Sequence, residues 1–199
     1  MTARIHSPLT LVLALCLGAC GLIPDAPPPL RNFQPPIAAE PVTRAEGVES
    51  PRLRLRATRG SAHLDTRMAY RLSEVEAGHH DEWRWTEAPA RFADLALAAA
   101  FFESGRFRRS VGSSEPVLSV ELLGFEELRD SDGGARVELR ALLEDGDGYS
   151  LFERRYAASV DQALGPEEIA RALGLLLSSQ AAALAADVEG ELARRGAAD

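Results

Sequence analysis

The stretch PVLSVELLGFEEL (116–128), ARVELRALLE (135–144) and YSLFERRYAASV (149–160) decides the fold: three β segments in succession. Between them lie Ser131-Asp132-Gly133-Gly134 and Asp145-Gly146-Asp147-Gly148. Glycine and aspartate supply the positive φ angles that tight turns require, so the three segments form a meander. A helix follows, announced by Gly165-Pro166-Glu167-Glu168: proline suits the first turn, and the two carboxylates favour the positive end of the helix dipole. Its apolar stripe is Ile169, Leu173, Leu176, Leu177, Leu184, Val188 and Leu192, and Arg194-Arg195-Gly196 closes it. A helix of about thirty residues is about 45 Å long, so its end either projects or meets another protein.

Upstream, residues 52–56 alternate Arg and Leu strictly, which places the leucines on one face of a half-buried strand. Residues 67–72 supply a second strand, and residues 82–86 a third after a Gly78-His79-His80 turn. Pro89 then starts a helix, with Phe92, Leu95, Ala99 and Phe102 at helical spacing and Leu97 and Phe101 on its flank. Gly105 ends it, and residues 107–111 offer a short strand. The order implies one α/β domain: a mixed β-sheet of about five to six strands packed with two long α-helices, with at least one crossover.

The N-terminus has a different character. Arg4 and His6 precede an apolar run over residues 9–17 and then Gly18-Ala19-Cys20. The run is shorter than the roughly 20 residues that span a bilayer, and small residues close it where a peptidase must fit the backbone. Leu17-Gly18-Ala19-Cys20 resembles the lipobox of bacterial lipoproteins, which implies a signal peptide over residues 1–19 and acylation of Cys20. Gly21, in place of the aspartate that retains lipoproteins in the inner membrane of enteric bacteria, favours the periplasmic leaflet of the outer membrane. Cys16 is lost with the signal, so the mature chain keeps one cysteine and forms no internal disulfide. Eight of the twelve prolines fall between Pro24 and Pro51, so residues 20–51 read as an extended tether reaching up to about 90 Å, ahead of the domain at 52–196.

Net charge is −8, and with Arg4 removed the mature chain carries 21 arginines against 30 carboxylates, or −9; lysine is absent. An acidic domain without a basic cluster is a poor ligand for nucleic acid or anionic headgroups. Multiple acyl chains on Cys20 would anchor it to the membrane without help from surface charge. His79-His80-Asp81-Glu82 could gather a metal only in a turn, and a solvated turn is the favoured reading. Asp145-Gly146-Asp147-Gly148 lacks the closing glutamate of an EF-hand loop. No nucleophile elbow, zincin helix or phosphate loop is present, so neither an enzymatic role nor a cofactor or metal site is expected.

Ala62-His63-Leu64-Asp65-Thr66-Arg67-Met68-Ala69-Tyr70-Arg71, then Trp83-Arg84-Trp85 with Pro89, then Glu103-Ser104-Gly105-Arg106-Phe107 resemble the ABC-type transport auxiliary lipoproteins, which accompany MCE-type lipid transporters of Gram-negative bacteria. The resemblance extends through Leu118-Ser119-Val120-Glu121-Leu122 to the last helix. The family's N-terminal aromatic-x-Leu segment has Asn32-Phe33-Gln34 as its only candidate here, a departure that leaves the first strand open. The resemblance implies an α/β domain facing the periplasm, with an MCE-domain protein as partner. Arg67, Tyr70, Arg71, Arg84, Trp85, Pro89, Gly105 and Phe107 fall on its motifs, where structural roles are expected. Trp83 and Trp85 should share a face of a strand, and Arg71 or Arg84 could stack on an indole. The expected function is a non-catalytic scaffolding subunit of an MCE/ABC-type lipid transport system. The alternatives are a carrier lipoprotein that itself binds phospholipid and an outer-membrane assembly lipoprotein acting as a chaperone. Partner contact is expected at strand-edge backbone or on the polar side of the long helix, near Arg171 and Glu191.

Overall fold

The computed structural model describes residues 29–38, 41–42, 49–112, 114–130, 133–162 and 164–196; the expected signal peptide and Cys20 lie outside them. In chain order the elements are β1 (Arg31–Phe33), β2 (Arg52–Leu55), β3 (Arg59–Gly60), β4 (Arg67–Arg71), β5 (Ala77–Trp85), α1 (Pro89–Ala98), β6 (Arg108–Arg109), β7 (Val117–Leu128), β8 (Gly134–Glu144), β9 (Ser150–Val160) and α2 (Pro166–Gly196). A π-helical turn over Ala99–Glu103 continues α1. The meander is as the turns required: β7, β8 and β9 are antiparallel neighbours, with Leu118 opposite Leu143 and Leu139 opposite Tyr156. On the other edge of β7, β2, β3 and β4 lie end to end, all parallel to it. Beyond them β5 runs antiparallel to β4, and β1 runs parallel to β5. The mixed sheet therefore has nine strand segments, of which β2, β3 and β4 share one position in its width.

One face of the sheet carries both helices. Ala135, Val137, Leu139, Ala141 and Leu143, the alternate residues of β8, are fully buried there, as are Leu118, Leu122 and Phe125 of β7. A register shift between Leu122 and Gly124 inserts one residue, so Phe125 still points into the core. Pro89 opens α1 after an extended Ala88, as the restriction on residues before proline demands. The buried face of this helix is Pro89, Phe92, Ala93, Ala96 and Leu97, continued by Ala100 and Phe101. Leu95, expected inward, is 41% exposed, because Leu97 and Phe101 take the core side. Gly105 ends the helix with φ +78, and the strand expected over residues 107–111 shrinks to β6 because Phe107 stacks on Phe101 instead.

Two expectations are corrected. Gly78, His79 and His80 form no turn but lie inside β5; the reversal sits earlier, where Leu72 N–H donates to the Glu76 carbonyl. Gly78 is needed in the strand because the Tyr70 ring crosses it, and a Cβ there would lie 2.6 Å from the Tyr70 hydroxyl. The other correction concerns the tether. Residues 31–38 are part of the domain, since Phe33 and Pro35 are buried, Ile37 packs on the core and the Ala38 N–H donates to Ser178 Oγ. Their close approach to α2 depends on Gly174, where any Cβ would collide with the Pro36 carbonyl oxygen.

α2 buries Ile169, Leu173, Leu177, Leu184 and Val188 of its expected stripe, while Leu176 and Leu192 are partly buried against the core. Small residues in the same face, Ala170, Ala181 and Ala185, bring the helix close to its neighbours. Tyr156 fastens it to β9 by donating to Asp187 Oδ2 at 2.8 Å, and the same oxygen accepts from Arg154 Nη1 at 2.8 Å. Burial pushes the Tyr156 phenol above its ordinary value, and the bonded Asp187 carboxylate pushes it further. An unfolded tyrosine ionises near pH ~10 while this one stays protonated, so its contribution is present below that pH and is lost as pH rises above it.

Two outcomes are expected. Leu173→Ala should lower stability by about 2–5 kcal/mol, seen as a shift of the urea midpoint at unchanged slope. Between about pH 9 and 11 the urea midpoint should fall more steeply in the parent protein than in Tyr156→Phe.

Candidate functional site

The face of the sheet opposite the helices is covered by charged side chains. Alternation turns Glu121 and Glu126 of β7, Arg136, Glu138 and Arg140 of β8, and Glu153 and Arg155 of β9 onto it. The register sets opposite charges side by side, with Glu121 facing Arg140 and Glu126 facing Arg136. Arg140 pairs with Glu121 and lies 3.9 Å from Glu153, Arg136 pairs with Glu138, and Arg155 Nη1 donates to Glu138 Oε1 at 3.0 Å. Opposite-charge cross-strand pairs contribute about 0.2–1 kcal/mol each, so the lattice is balanced more than it is strongly stabilising.

Glu126 is the exception, at 1% exposure. The Arg71 guanidinium grips it with two bonds, Nε to Oε1 at 2.6 Å and Nη2 to Oε2 at 3.1 Å, tying β4 to β7. The bonded carboxylate also raises Arg71 above its usual range. His63 and Arg136 each stand 4.0 Å from the same carboxylate. Beside this pair, three extra residues of β5 interrupt its register with β4 between Arg67 and Ala69. The bulge lets His80 stack on Trp83 at 3.7 Å while meeting Tyr70 edge-on. His80 Nε2 lies 2.6 Å from Glu127 Oε2, and Arg129 bonds to Glu127 and lies over the Tyr70 ring at 4.1 Å.

The eight motif positions divide between this corner and the core. Tyr70 and Arg71 join the cluster just described. Arg67 turns back on Asp65, whose carboxyl it holds below the usual range by a side-chain hydrogen bond. Arg84 Nη1 donates to the carbonyls of His80 and Trp83, fixing the bulge. Trp85 is buried with its ring 5.1 Å from Phe125 and 6.0 Å from Phe92. Pro89, Gly105 and Phe107 begin and end the α1 segment, away from the charged face. The expected arginine over an indole is not formed: Arg71 is held by Glu126, and in this corner the cation over a ring is Arg129 on Tyr70. Cys20 lies outside the described residues.

His79 Nε2 lies 2.7 Å from the His63 carbonyl oxygen, and among the described residues no three His, Cys, Asp or Glu side chains gather as a metal cluster. Asp145 Oδ1 accepts from the N–H groups of Asp147 and Tyr149, so this aspartate closes its own turn. Sequence reasoning missed Glu126, Glu127 and Arg129, because their partners lie 47 to 55 residues away. Gly174 carried a signal: glycine inside an apolar helical stripe costs about 1 kcal/mol and needs a packing reason. An open hollow of about 610 Å³ borders the charged face, lined by Arg71, Leu72, Asp130, Arg136 and Ser159 among others. The chemistry offered is recognition by guanidinium forks, carboxylates and aromatic faces.

A mixed sheet with a three-stranded meander, covered on one face by two helices, defines the fold class. No family model matches the sequence, and no curated protein does. Solved structures share the fold. Protein XCC0632 from Xanthomonas campestris, described as DUF330, superposes with a TM-score of 0.73 at 16% identity, covering 83% of this chain and 99% of its own. An uncharacterised protein gives 0.65 at 17% identity, over 81% of this chain and 99% of its own. At such identity the likeness is one of fold.

Glu126→Ala should destabilise the domain by about 3 kcal/mol, the lower end for a broken buried pair, because Arg71 keeps some access to water. Arg71→Met combined with Glu126→Leu should recover most of that loss in the same denaturation assay.

Proposed function

We propose that the protein is a lipid-anchored, periplasm-facing accessory subunit of an MCE/ABC-type lipid transport system, acting as a non-catalytic binding and scaffolding component. The observation that carries this reading is the uncovered sheet face. It is a broad, charge-alternating surface left open by both helices, suited to a folded protein partner rather than to an enclosed small molecule. The side that a carrier would use for an acyl chain is filled by Phe92, Phe101, Phe125 and the leucines of α2. The lipobox at residues 17–20 supports acylation of Cys20 and a place in the cell envelope, and Gly21 supports the outer membrane. The motif residues 62–71 and 83–89 support the MCE partner through their resemblance to the auxiliary lipoproteins. Energy for transport then belongs to a separate ATPase, since the chain has no phosphate loop.

The test is extraction of the lipidated protein from membranes, intact-mass analysis, and identification of co-purifying proteins. Acyl mass on Cys20 and recovery of an MCE-domain protein are expected. Arg140→Glu, on the open face, should keep the fold but reduce that recovery at least about tenfold, or about 1.4 kcal/mol of binding. One phospholipid bound per delipidated domain, with no MCE protein recovered, would replace this reading by that of a carrier.

A further inference from the structure

The Pro-rich segment divides at Leu30. Downstream of it, residues 31–38 are built into the fold, and nine residues, 21–29, separate it in sequence from Cys20. Arg31, Asn32 and Phe33 pair in parallel with Trp83, Arg84 and Trp85, and the Thr86 N–H donates to the Phe33 carbonyl at 3.0 Å. Phe33 is 8% exposed with its ring edge-on to Trp83, and Pro35 is buried. Arg31 forms an ion pair with Glu167 in the first turn of α2, and the chain then crosses that helix at Gly174 before Ala38 reaches Ser178. Contacts to two elements far apart in sequence hold this segment.

From these contacts we infer that residues 31–38 are a clasp that shortens the membrane tether to a nine-residue leash, residues 21–29, and holds the N-terminal end of α2 close to the leaflet bearing Cys20. The inference rests on the acylation of Cys20 proposed above. Ten Cα steps separate Cys20 from Leu30, and a fully extended chain covers about 3.5 Å per step, so the leash spans at most about 35 Å. A tether running free to Pro51 would reach about 90 Å. The clasp also fixes which end faces the lipid. The leash leaves beside Glu167, while the last turn of α2 lies about 45 Å away along the helix. The start of α2 is therefore held within about 35 Å of the membrane bearing Cys20, so a partner that contacts this end must come to that surface.

The experiment uses full-length lipidated protein in vesicles of phosphatidylethanolamine and phosphatidylglycerol. An acylated Cys20 leaves no free thiol in the mature chain, so a single introduced cysteine takes a thiol-reactive donor dye, with an acceptor in the bilayer. Arg171→Cys is exposed and one helical turn past Glu167; Ala193→Cys is exposed near the far end. The Arg171 position should lie within about 45 Å of the bilayer, the leash plus about one turn and the dye, and nearer than the Ala193 position. Inserting twenty Gly/Ser residues after Asp25, which leaves the clasp intact, should move both labels outward. In the same full-length protein the amides of Phe33 and Ala38 should be protected from hydrogen exchange, and Gly174→Ala should lose that protection while amides of β8 keep theirs. Unprotected amides in the parent protein, or an Arg171 label beyond about 45 Å, would overturn the clasp. Absence of acyl mass and of vesicle binding would overturn the anchor, and the leash with it, while amide protection still reports whether the clasp exists.

Discussion

Everything in this fold hangs on β7, which must satisfy backbone hydrogen bonds on both of its edges along twelve residues. The long strand β8 serves one edge without interruption except at the Leu122–Gly124 shift, while the other is served piecemeal by β2, β3 and β4. That arrangement makes the chain before β7 run once along its edge, in three successive segments all parallel to it, and the crossover through α1 follows from it. The shift within β7 has a second effect. It keeps Phe125 in the core with Trp85 and Phe92, and it turns Glu126 to the open face at the point where Arg71 of β4 can reach it.

Elements fixed by local periodicity were legible in the sequence. The meander, the start of both helices and the buried stripe of α2 each announce themselves within a dozen residues, because turn chemistry, proline restriction and apolar spacing act locally. What was hidden depends on partners far away. Gly78-His79-His80 has the composition of a turn and becomes strand because its backbone pairs with β4, Gly78 opposite Tyr70 and His79 opposite Ala69, with the bare glycine leaving room for the Tyr70 ring. Proline-rich composition likewise argued for a free tether through residue 51, yet Phe33 and Ile37 are apolar side chains with a helix to cover, and Gly174 makes room for their backbone.

The candidate site was legible only as residue types. Tyr70 and Arg71 stand out through their resemblance to a family motif, but the carboxylate that gives Arg71 its role is not marked by any spacing. Arginine suits this surface for a physical reason. Its planar fork can hold Glu126 with two bonds, whereas an ammonium would act as a point charge and leave one carboxylate oxygen poorly served. With lysine absent from the chain, every cation on the open face can make this kind of contact, with its own carboxylates or with those of a partner.

Under the proposed anchoring, the charge balance bears on how the domain would sit at a membrane. On the open face arginines and carboxylates alternate and largely cancel, so the excess of negative charge lies elsewhere, including Glu167 and Glu168 at the start of α2 and Asp81 and Glu82 in β5. Those residues lie near the point where residues 31–33 join the sheet. Arg31 already pairs with Glu167 there, so any repulsion by an anionic leaflet would be weak and screened within about 8 Å at physiological salt, while acyl chains on Cys20 would hold that end. The balanced face is then not drawn down onto phosphate by a net positive field, and it stays available to a protein surface of complementary charge order.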